Sequence, residues 1–164
     1  MQQMWTPWRM AYIRREKQPG CIFCEMLDAG DDRGQLILNR SELSFLVLNK
    51  FPYNNGHLMA VPYRHVDTLE ALTAEEAVDM MALVSLGIRA LRRSTHPEGF
   101  NIGVNIGKIA GAGVIDHVHT HVVPRWGGDT NFMPVLADVR LIPQDLNETY
   151  IELRAAVEEI VRSA

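Results

Sequence analysis

The sequence predicts an α+β fold: a mainly antiparallel sheet with one long central helix and a C-terminal helix. Two observations carry this. Short apolar runs bounded by turn residues cluster early and late around a single long amphipathic stretch. Regular β-α-β alternation, the mark of a parallel sheet, is absent.

Residues 1–34 read as irregular, being rich in Trp, Pro, Arg, Gly and Asp. Leu36 to Leu38 and Leu43 to Leu48 then read as two strands joined by Asn39-Arg40-Ser41-Glu42. Asn54-Asn55-Gly56 is a turn signal, followed by a third strand over His57 to Val61 that stops at Pro62. Thr73-Ala74-Glu75-Glu76 fits the capping box, and Ala77, Met81, Val84, Ile88 and Leu91 recur at spacings of four and three, which predicts the long helix. His96-Pro97-Glu98-Gly99 breaks it. Phe100 to Ile106 and Val118 to Val123 read as strands around a Gly-rich loop, and Leu146, Tyr150, Leu153, Val157 and Ile160 predict the closing amphipathic helix.

The 164 residues suit a single domain spanning 1–164, with no internal repeat or linker-like tract. A net charge of -4 and a pI near 5.8 supply no field for long polyanions, so bulk nucleic-acid binding is disfavoured while small phosphorylated ligands remain open. The longest relevant apolar run, Met80 to Val84, is far short of the ~20 residues of a membrane helix. The start, including Trp5-Thr6-Pro7-Trp8-Arg9, lacks the apolar stretch of roughly 7–15 residues of a secretory signal, so a cytoplasmic location is expected. Cys21 and Cys24 form a lone C-x-x-C, which in that compartment reads as metal-binding or redox-active before disulfide.

Three of the six histidines lie in His117-Val118-His119-Thr120-His121-Val122-Val123. In a strand, alternate residues share a face, so the three imidazoles are expected on one side and Val118, Thr120 and Val122 on the other. Burying three titratable rings side by side is unfavourable without a task. Two chemistries fit: a three-histidine metal site, or a histidine nucleophile oriented by its neighbours. Ring anchors roughly 6.6 Å apart let adjacent rings converge, but gathering all three around one ion demands strong bending.

This segment resembles the histidine triad (HIT) signature, His-φ-His-φ-His-φ-φ with φ apolar, and departs from it only at Thr120. The resemblance to that family of nucleotide hydrolases and transferases extends from Cys21 to Arg125. It implies that His119 attacks the α-phosphate and becomes transiently nucleotidylated, that His121 supports the phosphate, and that His57 completes the cluster. Asn49, eight residues before His57, corresponds to a ribose-binding residue in related members; a turn at a strand end is its ordinary alternative. A continuous-sheet homodimer is also implied.

Gly107-Lys108-Ile109-Ala110-Gly111-Ala112-Gly113 precedes the triad, and successive amides of such a loop can cradle an anion. Lys108, Gly111 and Gly113 are therefore candidate substrate-binding positions. Many members carry Gly-Gln-Ser or Gly-Gln-Thr here; Ala112-Gly113-Val114-Ile115-Asp116 lacks that hydroxyl, so backbone must replace it. Zinc-containing HIT proteins resemble this chain in pairing C-x-x-C with the histidine of Pro62-Tyr63-Arg64-His65 and with the first triad histidine. The resemblance thus implies a structural zinc on Cys21, Cys24, His65 and His117, anchoring residues 1–34, and no organic cofactor.

Trp126-Gly127-Gly128-Asp129-Thr130-Asn131-Phe132-Met133-Pro134 and Trp5-Thr6-Pro7-Trp8-Arg9 resemble the diadenosine-tetraphosphate phosphorylase branch. There inorganic phosphate, not water, accepts the nucleotidyl group, and Trp126 becomes a candidate substrate contact. A packed indole is the ordinary reading of Trp126, and a solvated surface charge that of Arg125. A metal-dependent enzyme and a noncatalytic nucleotide-binding scaffold are the rival classes.

Overall fold

A computed structural model describes residues 20–129 and 144–163. The Trp5 to Arg9 motif and the Thr130 to Pro134 part of the second motif lie outside them. Strands β1 (Ile37–Arg40), β2 (Ser44–Leu48), β3 (Leu58–Pro62), β4 (Gly99–Val104) and β5 (Thr120–Arg125) form one sheet in the order β1-β2-β3-β5-β4. Every pairing is antiparallel. The helices are α1 (Ile22–Asp28), α2 (Ala74–Ser94) and α3 (Leu146–Arg162). The α+β expectation agrees with this architecture.

Alternation along the strands gives the sheet two different faces. Leu46, Leu48, Leu58, Ala60 and Val122 meet Leu83, Val84 and Leu91 of α2 and Tyr150, Leu153 and Val157 of α3. Ile37, Phe45, Val47, Met59 and Val61 point the other way, against Phe23 and Met26 of α1. Burying one leucine contributes about 1.5–3 kcal/mol, whereas exposed pairs such as Arg154–Glu158 contribute at most ~1 kcal/mol, so the apolar seam and not the surface charge holds α3. Two directed bonds set its register on β1: Tyr150 Oη donates to the Ile37 carbonyl at 3.2 Å, and Arg154 donates to the Leu38 carbonyl at 2.7 Å.

Helix α2 opens as its sequence dictates. The Glu76 amide donates to Thr73 Oγ1 at 3.2 Å while the Thr73 amide donates to Glu76 Oε2 at 2.8 Å. The buried stripe differs from the expected one, since Met80, Leu83, Val84, Gly87, Ala90 and Leu91 are buried while Ala77 is exposed and Met81 is 55% exposed. Both sets carry helical spacing, and the approach to the sheet chose between them. A Cβ at Gly87 would lie 3.0 Å from Leu58 Cδ1, so the helix settles closest to the sheet where it carries no side chain. Asp79, half-buried on the same helix, accepts from the hydroxyls of Ser41 and Ser44 and from the Leu43 amide, which ties the β1–β2 turn down.

Other differences are local. Residues 20–34 are not wholly irregular: α1 spans seven of them, beginning at the C-x-x-C. The strand expected over Phe100 to Ile106 ends at Val104, and the one expected from Val118 begins only at Thr120. Gly56 takes φ +70 in the turn before His57, where a Cβ would also come 2.8 Å from Leu91 Cδ2.

Glu76 is buried, and the Arg64 guanidinium bonded to it holds its carboxyl below the ordinary glutamate range. A depressed folded-state pKa gives stability that is full above the unfolded value and is lost as pH falls through the folded one. Glu76→Gln should therefore remove part of the loss of stability between about pH 5 and about pH 3, read from urea midpoints across that range. Identical pH profiles for both proteins would contradict this account.

Candidate active site and candidate metal centre

The functional side chains gather on the face opposite α2 and α3. Among the triad residues only His121 lies within a regular strand, opposite Met59 of β3 and Gly103 of β4. His117 and His119 precede β5, where the Val118 amide donates to the Val66 carbonyl at 2.7 Å. The regular strand expected under all three rings is therefore present only at His121, although Phe23 packs on both His117 and His119. His119 and His121 meet edge to face with ring centroids 4.7 Å apart, whereas His117 turns toward the cysteines.

His57 completes the first group. Its Nε2 lies 2.9 Å from His121 Nδ1, and its Nδ1 accepts from the Tyr53 amide at 3.0 Å. An amide N–H can only donate, so neutral His57 carries its proton on Nε2 and gives it to His121 Nδ1. Neutral His121 must then hold its own proton on Nε2, so the Asn105 side chain, 3.5 Å away, has to turn its Oδ1 and not its Nδ2 toward that nitrogen. His119 Nδ1 lies 2.9 Å from the His117 carbonyl. A carbonyl only accepts, so His119 has Nδ1–H and a free lone pair on Nε2. Burial pushes the His119 pKa down, keeping that lone pair unprotonated. All four rings are buried, from 0% exposure at His57 and His117 to 8% at His121. The sheet thus presents a nitrogen lone pair and an N–H donor on adjacent imidazoles.

The other candidate positions spread further. Asn49, at the end of β2, approaches His57 Nδ1 with its amide nitrogen at 3.3 Å and accepts from the Phe51 amide at 2.8 Å. Lys108 is exposed on the loop. The Gly111 amide donates to the Lys108 carbonyl at 3.1 Å and the Ala112 amide to the Gly107 carbonyl at 3.3 Å, so these two N–H groups already serve the loop's own turn. Gly113 is followed by Val114, which packs on the Phe23–Phe45 cluster. The Trp126 indole donates to the Thr95 carbonyl at 3.1 Å, which ties it to the end of α2. Arg125 grips Asp129, and Asp129 also accepts from Asn54 Nδ2 at 2.9 Å, joining the turn before His57 to the end of β5.

Sequence reasoning missed three neighbours of the histidines. Tyr53 has its ring 4.7 Å from His57 and 5.6 Å from His121. Phe23 packs against both His117 and His119. Asn105 could have been found only from register: Gly103 pairs with His121, and two residues on the chain returns to the same face.

Cys21, Cys24, His65 and His117 form the second group, with all ligating atoms within 4.8 Å of one another. Cys21 Sγ and His117 Nδ1 are 3.2 Å apart, Cys24 Sγ and His65 Nδ1 3.5 Å, and Cys24 Sγ and His117 Nδ1 3.8 Å. A tetrahedron with Zn–S ~2.3 Å and Zn–N ~2.0 Å has S···N edges of about 3.5 Å, so these donors have the right spacing. His117 Nε2 meets the Pro62 carbonyl at 2.9 Å, the outer bond that leaves Nδ1 as the ligating atom. The residues present fit a closed four-ligand metal site.

The fold and these two groups define an α+β domain that sets a buried histidine cluster beside a Cys/His centre. The HIT domain family matches residues 33–128, and the chain belongs to that family. It is 42% identical over 158 residues to the AP-4-A phosphorylase of Mycobacterium tuberculosis (strain H37Rv), covering 91% of this chain and 80% of that relative. It is 32% identical over 111 residues to adenylylsulfatase HINT3 of Arabidopsis thaliana, covering 66% of this chain and 53% of that protein. Among solved structures, a Zn-bound histidine triad family protein from Mycobacterium smegmatis superposes with TM-score 0.72 at 29% identity, covering 88% of this chain and 98% of that one. No helix among the described residues is long and apolar enough to cross a membrane.

Burial, followed by the neighbouring Cys21, pushes the Cys24 thiol up to about 11. Metal-free protein should therefore alkylate slowly with iodoacetamide at Cys24 near neutral pH and speed up steeply toward pH 11. Peptide mapping over a pH series checks this; rapid modification at neutral pH would contradict it.

Proposed function

We infer that this chain is a nucleotidyl-transferring enzyme that splits diadenosine tetraphosphate, or a similar dinucleoside polyphosphate, by phosphorolysis to ADP and ATP. The observation that carries the reading is the pair of opposed proton placements, a lone pair on His119 Nε2 beside an N–H on His121 Nε2. His119 Nε2 attacks the α-phosphorus, forming a P–N bond as the P–O bond to ATP breaks. The imidazolium so formed keeps its Nδ1–H on the His117 carbonyl. His121 Nε2–H holds a non-bridging oxygen, and His57 polarises His121 from behind. Inorganic phosphate then attacks the adenylyl-histidine, the P–N bond breaks, and ADP leaves with His119 regenerated.

Asn49 would take the ribose, and Lys108, Gly111, Gly113 and Trp126 would contact the polyphosphate or the far nucleoside. The two loop amides already engaged internally leave the remaining loop backbone and Lys108 for this task. Phosphate as acceptor is supported by the 42% identity to a protein named AP-4-A phosphorylase. Zinc is supported by the donor set, by its spacing and by the zinc-bound neighbour. Bound there, it would close a structural site on Cys21, Cys24, His65 and His117 and supply no step of the reaction. A homodimer extending the sheet is supported by the edge position of β4, where Ile102 is 47% exposed. A C-x-x-C whose thiols lie beside His65 and His117 as candidate metal ligands favours the cytoplasm, where thiols are kept reduced.

Incubating the protein with diadenosine tetraphosphate should yield ADP plus ATP only with phosphate present. AMP plus ATP at a rate indifferent to phosphate would assign hydrolysis. His119→Ala should lower kcat at least ~1000-fold while leaving nucleotide affinity within a few fold, because it removes the attacking atom and no ground-state contact. Wild-type protein denatured with labelled substrate under alkaline conditions should carry an acid-labile nucleotidyl group on His119; an adduct elsewhere would overturn the assignment.

Metal analysis of purified protein should find about one zinc per chain, lost in a Cys21→Ser, Cys24→Ser double variant that melts earlier. Zinc-free protein of unchanged stability would contradict the structural role.

A further inference from the structure

Helix α1 faces two ways within a single turn. Cys21, its N-cap, and Cys24 turn toward His65 and His117. Phe23, between them and 2% exposed, turns inward. Its ring centroid lies 5.4 Å from that of His117, 5.1 Å from that of His119 and 6.3 Å from that of Phe45. His117 spans the same divide: its ring reaches Cys21 at 3.2 Å, and its carbonyl accepts the His119 Nδ1–H. The Cys/His cluster therefore touches His119 by two routes, one through aromatic packing and one through the main chain.

A histidine χ2 is a broad, roughly two-fold torsion, so a single hydrogen bond at Nδ1 does not hold the ring. Packing against its face does, provided the packing group is itself fixed. Phe23 rides on a seven-residue helix, too short to hold its shape by propensity alone. What pins α1 is its apolar side, Phe23 and Met26, together with the cysteines at its start.

We propose that α1 couples the Cys21–Cys24–His65–His117 cluster to His119, with Phe23 as the positioning residue, so that a metal held by the cluster locks the His119 ring with Nδ1–H on the His117 carbonyl and Nε2 bare. The catalytic consequence rests on the function proposed above; the coupling itself does not. On this account the metal centre does more than stabilise the fold, and Phe23 acts through His119 without taking part in chemistry.

The test uses the full-length, 15N-labelled chain loaded with zinc, and long-range 1H–15N correlation spectra that report which nitrogen of His119 carries the proton. Wild type should show one His119 tautomer. Phe23→Leu should retain about one zinc per chain yet show mixed tautomers, as should wild type stripped by a chelator. Formation of the nucleotidyl adduct should slow at least about tenfold in Phe23→Leu, the scale of loss from a small misplacement of a reacting group. A purely structural Phe23 would lower the melting temperature and leave the tautomer of the folded protein single. That result in zinc-loaded Phe23→Leu overturns the proposal. If the chelated protein unfolds, the zinc-loaded variant decides alone, and if Phe23→Leu does not load zinc, Phe23→Met takes its place. Should wild type form no nucleotidyl adduct, the proposed function fails while the tautomer comparison still decides the coupling.

Discussion

His117 is the residue on which the rest of the site depends, because it is held at every polar atom the site uses. Nδ1 faces the cysteines, Nε2 meets the Pro62 carbonyl, and its own carbonyl receives the His119 Nδ1–H. A fully buried imidazole without partners would be costly, and here each nitrogen is satisfied. Burial accordingly pushes its pKa down, which favours the neutral ring that a metal requires. Fixing one ring and one carbonyl thereby offers the next histidine along the chain a fixed acceptor for its Nδ1–H.

The sheet supplies the frame for this. One face is closed by α2 and α3 over a leucine-rich seam, leaving the other for the histidines and α1. Antiparallel pairing of β3 with β5 sets Met59 opposite His121 and brings the His57 turn beside it. That turn is in turn fastened on both sides: Asn54 reaches Asp129 and the Pro124 carbonyl, and Asn55 reaches Gln144 and Thr149 of the C-terminal segment. These bonds are short-range and directional, so they fix geometry more than they add stability, which comes mainly from the apolar seam.

A bare nitrogen and an N–H on neighbouring imidazoles are also an electrostatic compromise. Burial pushes the His119 pKa down and so favours its neutral ring, while the His117 carbonyl and the Tyr53 amide are the partners of His119 Nδ1 and His57 Nδ1. Tyr53 contributes twice, through its amide to His57 and through its ring against His57 and His121.

The fold class, the long helix with its capping box and the closing helix were legible in the chain because each follows from local periodicity, whereas the grouping of His65 and His117 with the C-x-x-C followed from the family resemblance. The buried stripe of α2 was not, since two faces carried helical spacing and the close approach at Gly87 selected one. The place of His117 beside the cysteines came from the family resemblance and not from alternation, because period-two alternation holds only where a strand is regular and β5 starts at Thr120. Asn105, Tyr53 and Phe23 lie 16, 4 and 96 positions from their histidine partners His121, His57 and His119. Residue type and spacing named the chemical groups of this protein, whereas only the meeting of distant segments on one sheet face decided which nitrogen carries a proton and which is bare.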